Sequence, residues 1–151
     1  MEASEVRRAS AEDADDVGRL LDAFNTEFDD PTPGPEFLAG RVRELLGRDD
    51  FIVMLVGPEP LGVAVVRFRP TLWSEGLEAY IEELYVVPER RGEGLGRALL
   101  EATLAEARRA GANRIDLGTA ESDTAARGLY ASAGFTNLEH GAKMLFYERD
   151  L

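Results

Sequence analysis

Two apolar runs separated by four residues constrain this chain most. Phe51-Ile52-Val53-Met54-Leu55-Val56 is continuous, and Leu61 to Phe68 is rich in β-branched residues. Gly57-Pro58-Glu59-Pro60 turns the chain between them. Adjacent runs across a tight turn predict an antiparallel hairpin. Helical periodicity precedes it: Ser10-Ala11-Glu12-Asp13 reads as a helix start, and Val17, Leu20, Leu21, Phe24 and Phe28 follow at helical spacing. The tract from Asp29 to Pro35 breaks that helix, and a second runs from about Pro35 to Leu46. Glu5 to Ala9 supplies a short first strand.

After the hairpin, Leu77 to Val87 predicts another strand, ended by Pro88. Leu95 to Ala110 predicts a helix with Leu95, Ala98, Leu99, Ala102 and Ala105 on one stripe, and Gly111 as its cap. Arg114 to Thr119 is a strand, Ser122 to Ala133 a helix, and Phe135 to Leu138 and Lys143 to Glu148 are final strands. The order βααβββαβαββ predicts an α/β fold, a mixed sheet with helices on its faces. With 151 residues and no repeat or linker, one domain over 1–151 is expected.

Composition narrows the function. The chain has no cysteine, which excludes a disulfide framework, a thiolate metal site and a cysteine nucleophile. A single histidine, His140, makes no metal site by itself, and Trp73 reads as a loop aromatic. The net charge of −12 disfavours nucleic acid and anionic membranes as partners. No apolar stretch reaches the ~20 residues of a membrane span, and the acidic start resembles no leader, so a cytoplasmic location is expected. The charge is uneven. Residues 1–40 hold eleven acids and three arginines, a net of −8, whereas residues 88–114 hold six arginines and four acids, a net of +2.

That basic stretch contains the strongest local signal, Arg91-Gly92-Glu93-Gly94-Leu95-Gly96-Arg97, between a strand and a helix. Glycines there let the backbone turn sharply and aim successive N–H groups at one point. The first helical N–H groups have no internal partner, and the helix dipole favours an anion beside them. Arg91 and Arg97 add charge, so the turn suits a pyrophosphate. No Gly-Lys-Ser/Thr follows, so it is not a P-loop, and a dinucleotide frame would need glycine at Arg97 or Leu99. The spacing present is Arg-x-x-Gly-x-Gly, from Arg91 to Gly96.

The segment Ile81 to Leu100 resembles the acetyl-CoA motif of the GNAT acetyltransferase superfamily. Asp123-x-x-Ala126-x-x-Leu129-Tyr130-x-x-x-Gly134-Phe135 resembles a second motif of that family. The resemblance implies a splayed mixed sheet, with the coenzyme's pantetheine arm between the strands ending at Val87 and Thr119. It implies pairing of that arm with the backbone of Leu84, Tyr85 and Val86, and a pyrophosphate on the N–H groups of Gly92, Glu93, Gly94, Leu95, Gly96 and Arg97. Where the family often has asparagine this chain has Asp123, which cannot donate when ionised, so it either meets the coenzyme or caps the next helix. A homodimer through the late strands is a further implication.

Acetyl transfer to an amine needs a neutral amine, a donor for the thioester oxygen and a proton for the departing thiolate. The resemblance places Tyr130 beside the sulfur, where a phenol that stays protonated at neutral pH can serve as acid. Glu82 and Glu83 are the candidate bases. Strand alternation puts them on opposite faces, with Glu82 sharing Tyr80, Leu84 and Val86, and the resemblance to diamine acetyltransferases favours Glu82, with Glu83 as the fallback. A backbone N–H near Leu84 or Val86 suits the oxygen. The resemblance implies that the turn after the first helix borders the acceptor site; here it holds Glu27, Asp29 and Asp30, an acidic rim suited to a cationic amine. The expected activity is acetyl-CoA-dependent N-acetylation without a metal; the alternative is a non-catalytic acyl-CoA-binding module on the same scaffold.

Overall fold

The computed structural model describes residues 2–151, and the chain divides into two compact units, Met1–Asp116 and Leu117–Leu151. In the first unit, strand β1 (Val6–Arg8) leads into a 3-10 turn and helices α1 (Ala14–Glu27) and α2 (Pro35–Leu45). The hairpin predicted from the two apolar runs is present as β2 (Phe51–Val56) and β3 (Gly62–Pro70), followed by β4 (Leu77–Val86), α3 (Leu95–Arg109) and β5 (Ala112–Leu117) at the unit boundary. The sheet order is β1-β2-β3-β4-β5, with antiparallel pairing from β1 through β4. Where β5 joins, the Leu77 N–H donates to Gly111 O at 3.1 Å.

Both faces of the β2–β3 hairpin are buried, which accounts for its continuous apolar sequence. Phe51, Val53, Leu55, Val63, Val65 and Tyr85 pack with Val17 and Leu20 of α1 and Val42 of α2. The alternating residues Ile52, Met54, Val56, Ala64 and Val66 are equally buried, and α3, carrying Leu99 and Leu100 at 0% exposure, contacts β2, β3 and β4. Truncating such a leucine to alanine costs about 2–5 kcal/mol. Helices α1 and α2 meet at Gly18, where a Cβ would lie 2.5 Å from Pro35 O and 2.9 Å from Ala39 N. Any side chain there would force these helices apart.

The second unit holds α4 (Thr124–Ser132) and a hairpin of β6 (Leu138–Glu139) and β7 (Ala142–Lys143). These strands are shorter than the spans expected over Phe135–Leu138 and Lys143–Glu148. His140 and Gly141, both at positive φ, form the two-residue turn that sets the register Glu139↔Ala142. Beyond Lys143 the apolar residues remain outside, with Phe146 71% exposed, and residues 144–151 join no ladder among those described. No helix of the described residues is long and apolar enough to cross a membrane.

Candidate active site

The phosphate-loop segment leaves β4 through a 3-10 turn, Pro88–Arg90, and reaches α3 by way of Gly92 at φ 80° and Gly94 at φ 83°. Nothing lies within 4 Å of a Cβ built at Gly92 or Gly94, so backbone conformation and not crowding requires glycine there. Leu95, 3% exposed, anchors the first turn in the core. The helical ladder begins with Ala98 N–H donating to Gly94 O at 3.0 Å. The N–H groups of Leu95 and Gly96 precede it, in the first helical turn, where no i−4 carbonyl of the helix is available. With the dipole of a 15-residue helix behind them, these groups fit a diphosphate.

The arginines of this segment meet carboxylates. Arg90 grips Glu93 at 2.9 and 3.0 Å, across the glycine turn. Arg97 lies 3.8 Å from Glu101, one helical turn on. Arg91 pairs with Glu27, the last residue of α1. Glu27 is therefore turned toward the loop that was expected to hold phosphate. Asp29, at φ 57°, and Asp30 stay exposed in the turn after α1, with the Asp30 N–H bonded to Asn25 O at 2.9 Å.

The two glutamates of β4 occupy different environments, and strict alternation does not describe them. The β3–β4 register runs Val66↔Ile81 and then Val65↔Glu83, so Glu82 is the extra residue of a β-bulge. The bulge returns Glu83 to the face of Val65, and Tyr85 to that of Val63, beneath α1. Tyr80, opposite Arg67, shares that face, whereas Leu84 and Val86 lie opposite Ala64 and Gly62 on the other. The expected grouping of Glu82 with Tyr80, Leu84 and Val86 therefore fails, because one inserted residue resets the parity of the strand. Glu82 is exposed and held by the Arg67 guanidinium. Glu83 is half-buried, with its carboxyl pushed up to about 7 by burial first, then by the charges of Glu82 and Asp30.

Tyr85, 4% exposed, stacks on Phe24 with ring centroids 4.8 Å apart. Val86 offers its carbonyl to Arg91 Nε at 3.0 Å, and the Val87 N–H donates to Leu61 O. Beside the backbone of this stretch, the Tyr85 side chain and Phe24 form an aromatic floor that no local sequence pattern announces.

In the second unit, Asp123 caps α4 by accepting the Ala126 N–H at 3.0 Å, the alternative role foreseen for it. A cap of this kind contributes about 1 kcal/mol. Tyr130 faces Phe135 with ring centroids 6.0 Å apart, and its hydroxyl is pushed up to about 12 by burial and then by the Asp123 charge. It is a proton donor throughout the physiological range.

A bulged strand thus leads through a glycine turn into the N-terminus of a helix, and the sequence of this region is shared with known proteins. Residues 15–135 match the Acetyltransferase (GNAT) family, and the chain belongs to it. It is 34% identical over 107 residues to an aminoglycoside N(6')-acetyltransferase type 1 of Klebsiella aerogenes, covering 68% of each chain. It is 50% identical over 66 residues to a mycothiol acetyltransferase of Thermobispora bispora, of whose length that match spans 22%. Among solved structures, a candidate acetyltransferase from Arthrobacter sp. FB24 is similar over 100% of this chain and 98% of its own, with a TM-score of 0.91 and 44% identity.

Proposed function

We propose that this chain transfers the acetyl group of acetyl-CoA to a primary amine by direct attack in a ternary complex, with Glu83 as the base. The observation that carries the proposal is the pairing, on one strand, of a glutamate titrating at about 7 with the phosphate-type turn that follows it. A base with its pKa near working pH combines a large unprotonated fraction with useful proton affinity. Glu82, the residue preferred on sequence, is ion-paired with Arg67 and sits at the exposed bulge, which suits it to raising the Glu83 pKa.

When bound, acetyl-CoA supplies a thioester carbonyl as electrophile. The chain's part is then to hold the diphosphate on the N–H groups from Gly92 to Arg97, leaving the backbone of Leu84, Tyr85 and Val86 for the arm. Glu83 Oε takes the proton of the ammonium group, whose ordinary pKa of about 10.4 otherwise leaves little neutral amine. A β4 backbone N–H supports the charge that gathers on the carbonyl oxygen. Tyr130 holds its proton far above neutrality and is the donor proposed for the thiolate. Asp29 and Asp30, with the carboxylates of β4, favour a cationic acceptor, and a relative named for aminoglycosides points to the same class.

Thiol release from acetyl-CoA, followed over polyamines, aminoglycosides and neutral or anionic amines, tests the reading. Turnover is expected with cationic amines. Absence of thiol release with every amine overturns the activity, and turnover confined to anionic amines overturns the acceptor class. Replacing Tyr130 by Phe is expected to lower kcat about 10- to 100-fold, the lower part of the range for an acid–base group, while coenzyme affinity in titration calorimetry stays within twofold. An unchanged kcat removes Tyr130 from the chemistry.

A further inference from the structure

We propose that Glu27 is a positioning residue for the phosphate loop and not an acceptor-site carboxylate: by chelating Arg91 it fastens that loop to the end of α1 and the end of β4. This inference rests on the coenzyme-binding reading above and assigns the two charges differently from the expectation drawn from the sequence.

The geometry is specific. Arg91 NH1 donates to Glu27 Oε2 at 2.7 Å and NH2 to Oε1 at 2.8 Å, a two-pronged contact across 64 residues of sequence. Arg91 Nε donates to Val86 O at 3.0 Å. All three guanidinium nitrogens are therefore engaged, and the cation lies over the Tyr85 ring with its Cζ 5.5 Å from the centroid. Phe24 stacks on that ring, one turn before Glu27 on the same helix. Such a planar fork, stacked on an aromatic face, makes a rigid joint that lysine cannot imitate.

The consequence is a change of roles. Arg91 spends its charge on Glu27, and Arg91 first, then the Tyr85 hydroxyl to a lesser extent, keeps the Glu27 carboxyl below its ordinary range. A neutralised pair neither draws an ammonium ion to Glu27 nor adds a net cation to the phosphate site. What the joint supplies is placement. Arg91 directly precedes the positive-φ Gly92, so fixing Arg91 fixes where the N–H groups up to Arg97 point. The attraction for phosphate then comes from the backbone and the α3 dipole.

Titration calorimetry with coenzyme A on the full chain, paired with steady-state kinetics, tests this. Glu27→Gln is expected to weaken coenzyme A about tenfold, with the amine KM within twofold of wild type. Arg91→Lys is expected to weaken it by at least as much although the charge is kept. Glu27→Gln in the Arg91→Lys background is expected to add less than twofold, because the joint is already open. Two results overturn the inference. One is unchanged or tighter coenzyme A binding by Glu27→Gln together with a raised amine KM, which returns Glu27 to the acceptor. The other is multiplying effects in the double variant, which makes the two residues independent. A wild-type chain without affinity for coenzyme A overturns the coenzyme reading itself, a result distinct from both.

Discussion

Replacing Glu83 by Gln is expected to lower kcat/KM for a cationic amine by about 100- to 1000-fold, within the usual range for loss of a general base. The pH profile carries more information than the rate. In the wild type, kcat/KM should rise to a bend at about 7, where Glu83 loses its proton, and then flatten. In the glutamine variant that bend should vanish, and the rate should follow the neutral fraction of the amine toward its own pKa of about 10.4. A bend at 7 that survives in the variant removes Glu83 as the base. Stability should move the opposite way. The carboxyl keeps its proton to about 7 in the folded chain and to 4.5 in its ordinary state. Between those values the native state binds more protons than the unfolded one, so this group's contribution falls as pH rises from 4.5 to about 7 and is fully unfavourable above. Allowing for the water that reaches a half-buried group, the variant should be more stable than wild type by about 1–2 kcal/mol at pH 8, with no difference at pH 4. Urea denaturation at the two pH values measures this.

The second large effect is expected at Gly94, where backbone strain and charge can be separated. Asparagine and aspartate both tolerate positive φ better than other side chains, have the same shape, and find open space at this position. Gly94→Asn should therefore fold and bind coenzyme A with a modest loss. Gly94→Asp adds one negative charge to the amide cradle, and its repulsion of a diphosphate, at ~1–3 kcal/mol for an effective dielectric between water and a protein surface, lowers affinity a further ten- to hundredfold. That excess should shrink at high salt, since the position is exposed. Equal affinities for the two variants would mean that no phosphate approaches this turn.

The architecture was legible because its signals are local. A run of apolar residues on each side of Gly57–Pro60, helical stripes, and a glycine at each special turn each act within a few residues, and they predicted the element order observed. The glycine turn ahead of α3 was legible for the same reason. The site's internal arrangement was less so. A period-of-two reading of β4 carries no mark of the residue inserted at Glu82, so it put Tyr80 on one face with Leu84 and Val86. The Arg91–Glu27 joint spans 64 residues, and no local pattern announces it; only the mirrored charge of residues 1–40 and 88–114 pointed that way. The late strands fell short because an apolar sequence creates a demand for burial and does not say what will meet it.

The skipped rung in β4 has a design consequence. An uninterrupted strand links the outward or inward aim of every residue to that of its neighbours, so one shift in pairing overturns them all. Here the inserted position divides the strand into two independently phased lengths. Leu77 to Ile81 can be rewritten to suit the hydrophobic layer beneath them while Glu83 and Tyr85 keep their aim, and deleting the inserted Glu82 would leave an unbroken ladder with Glu83 still opposite Val65.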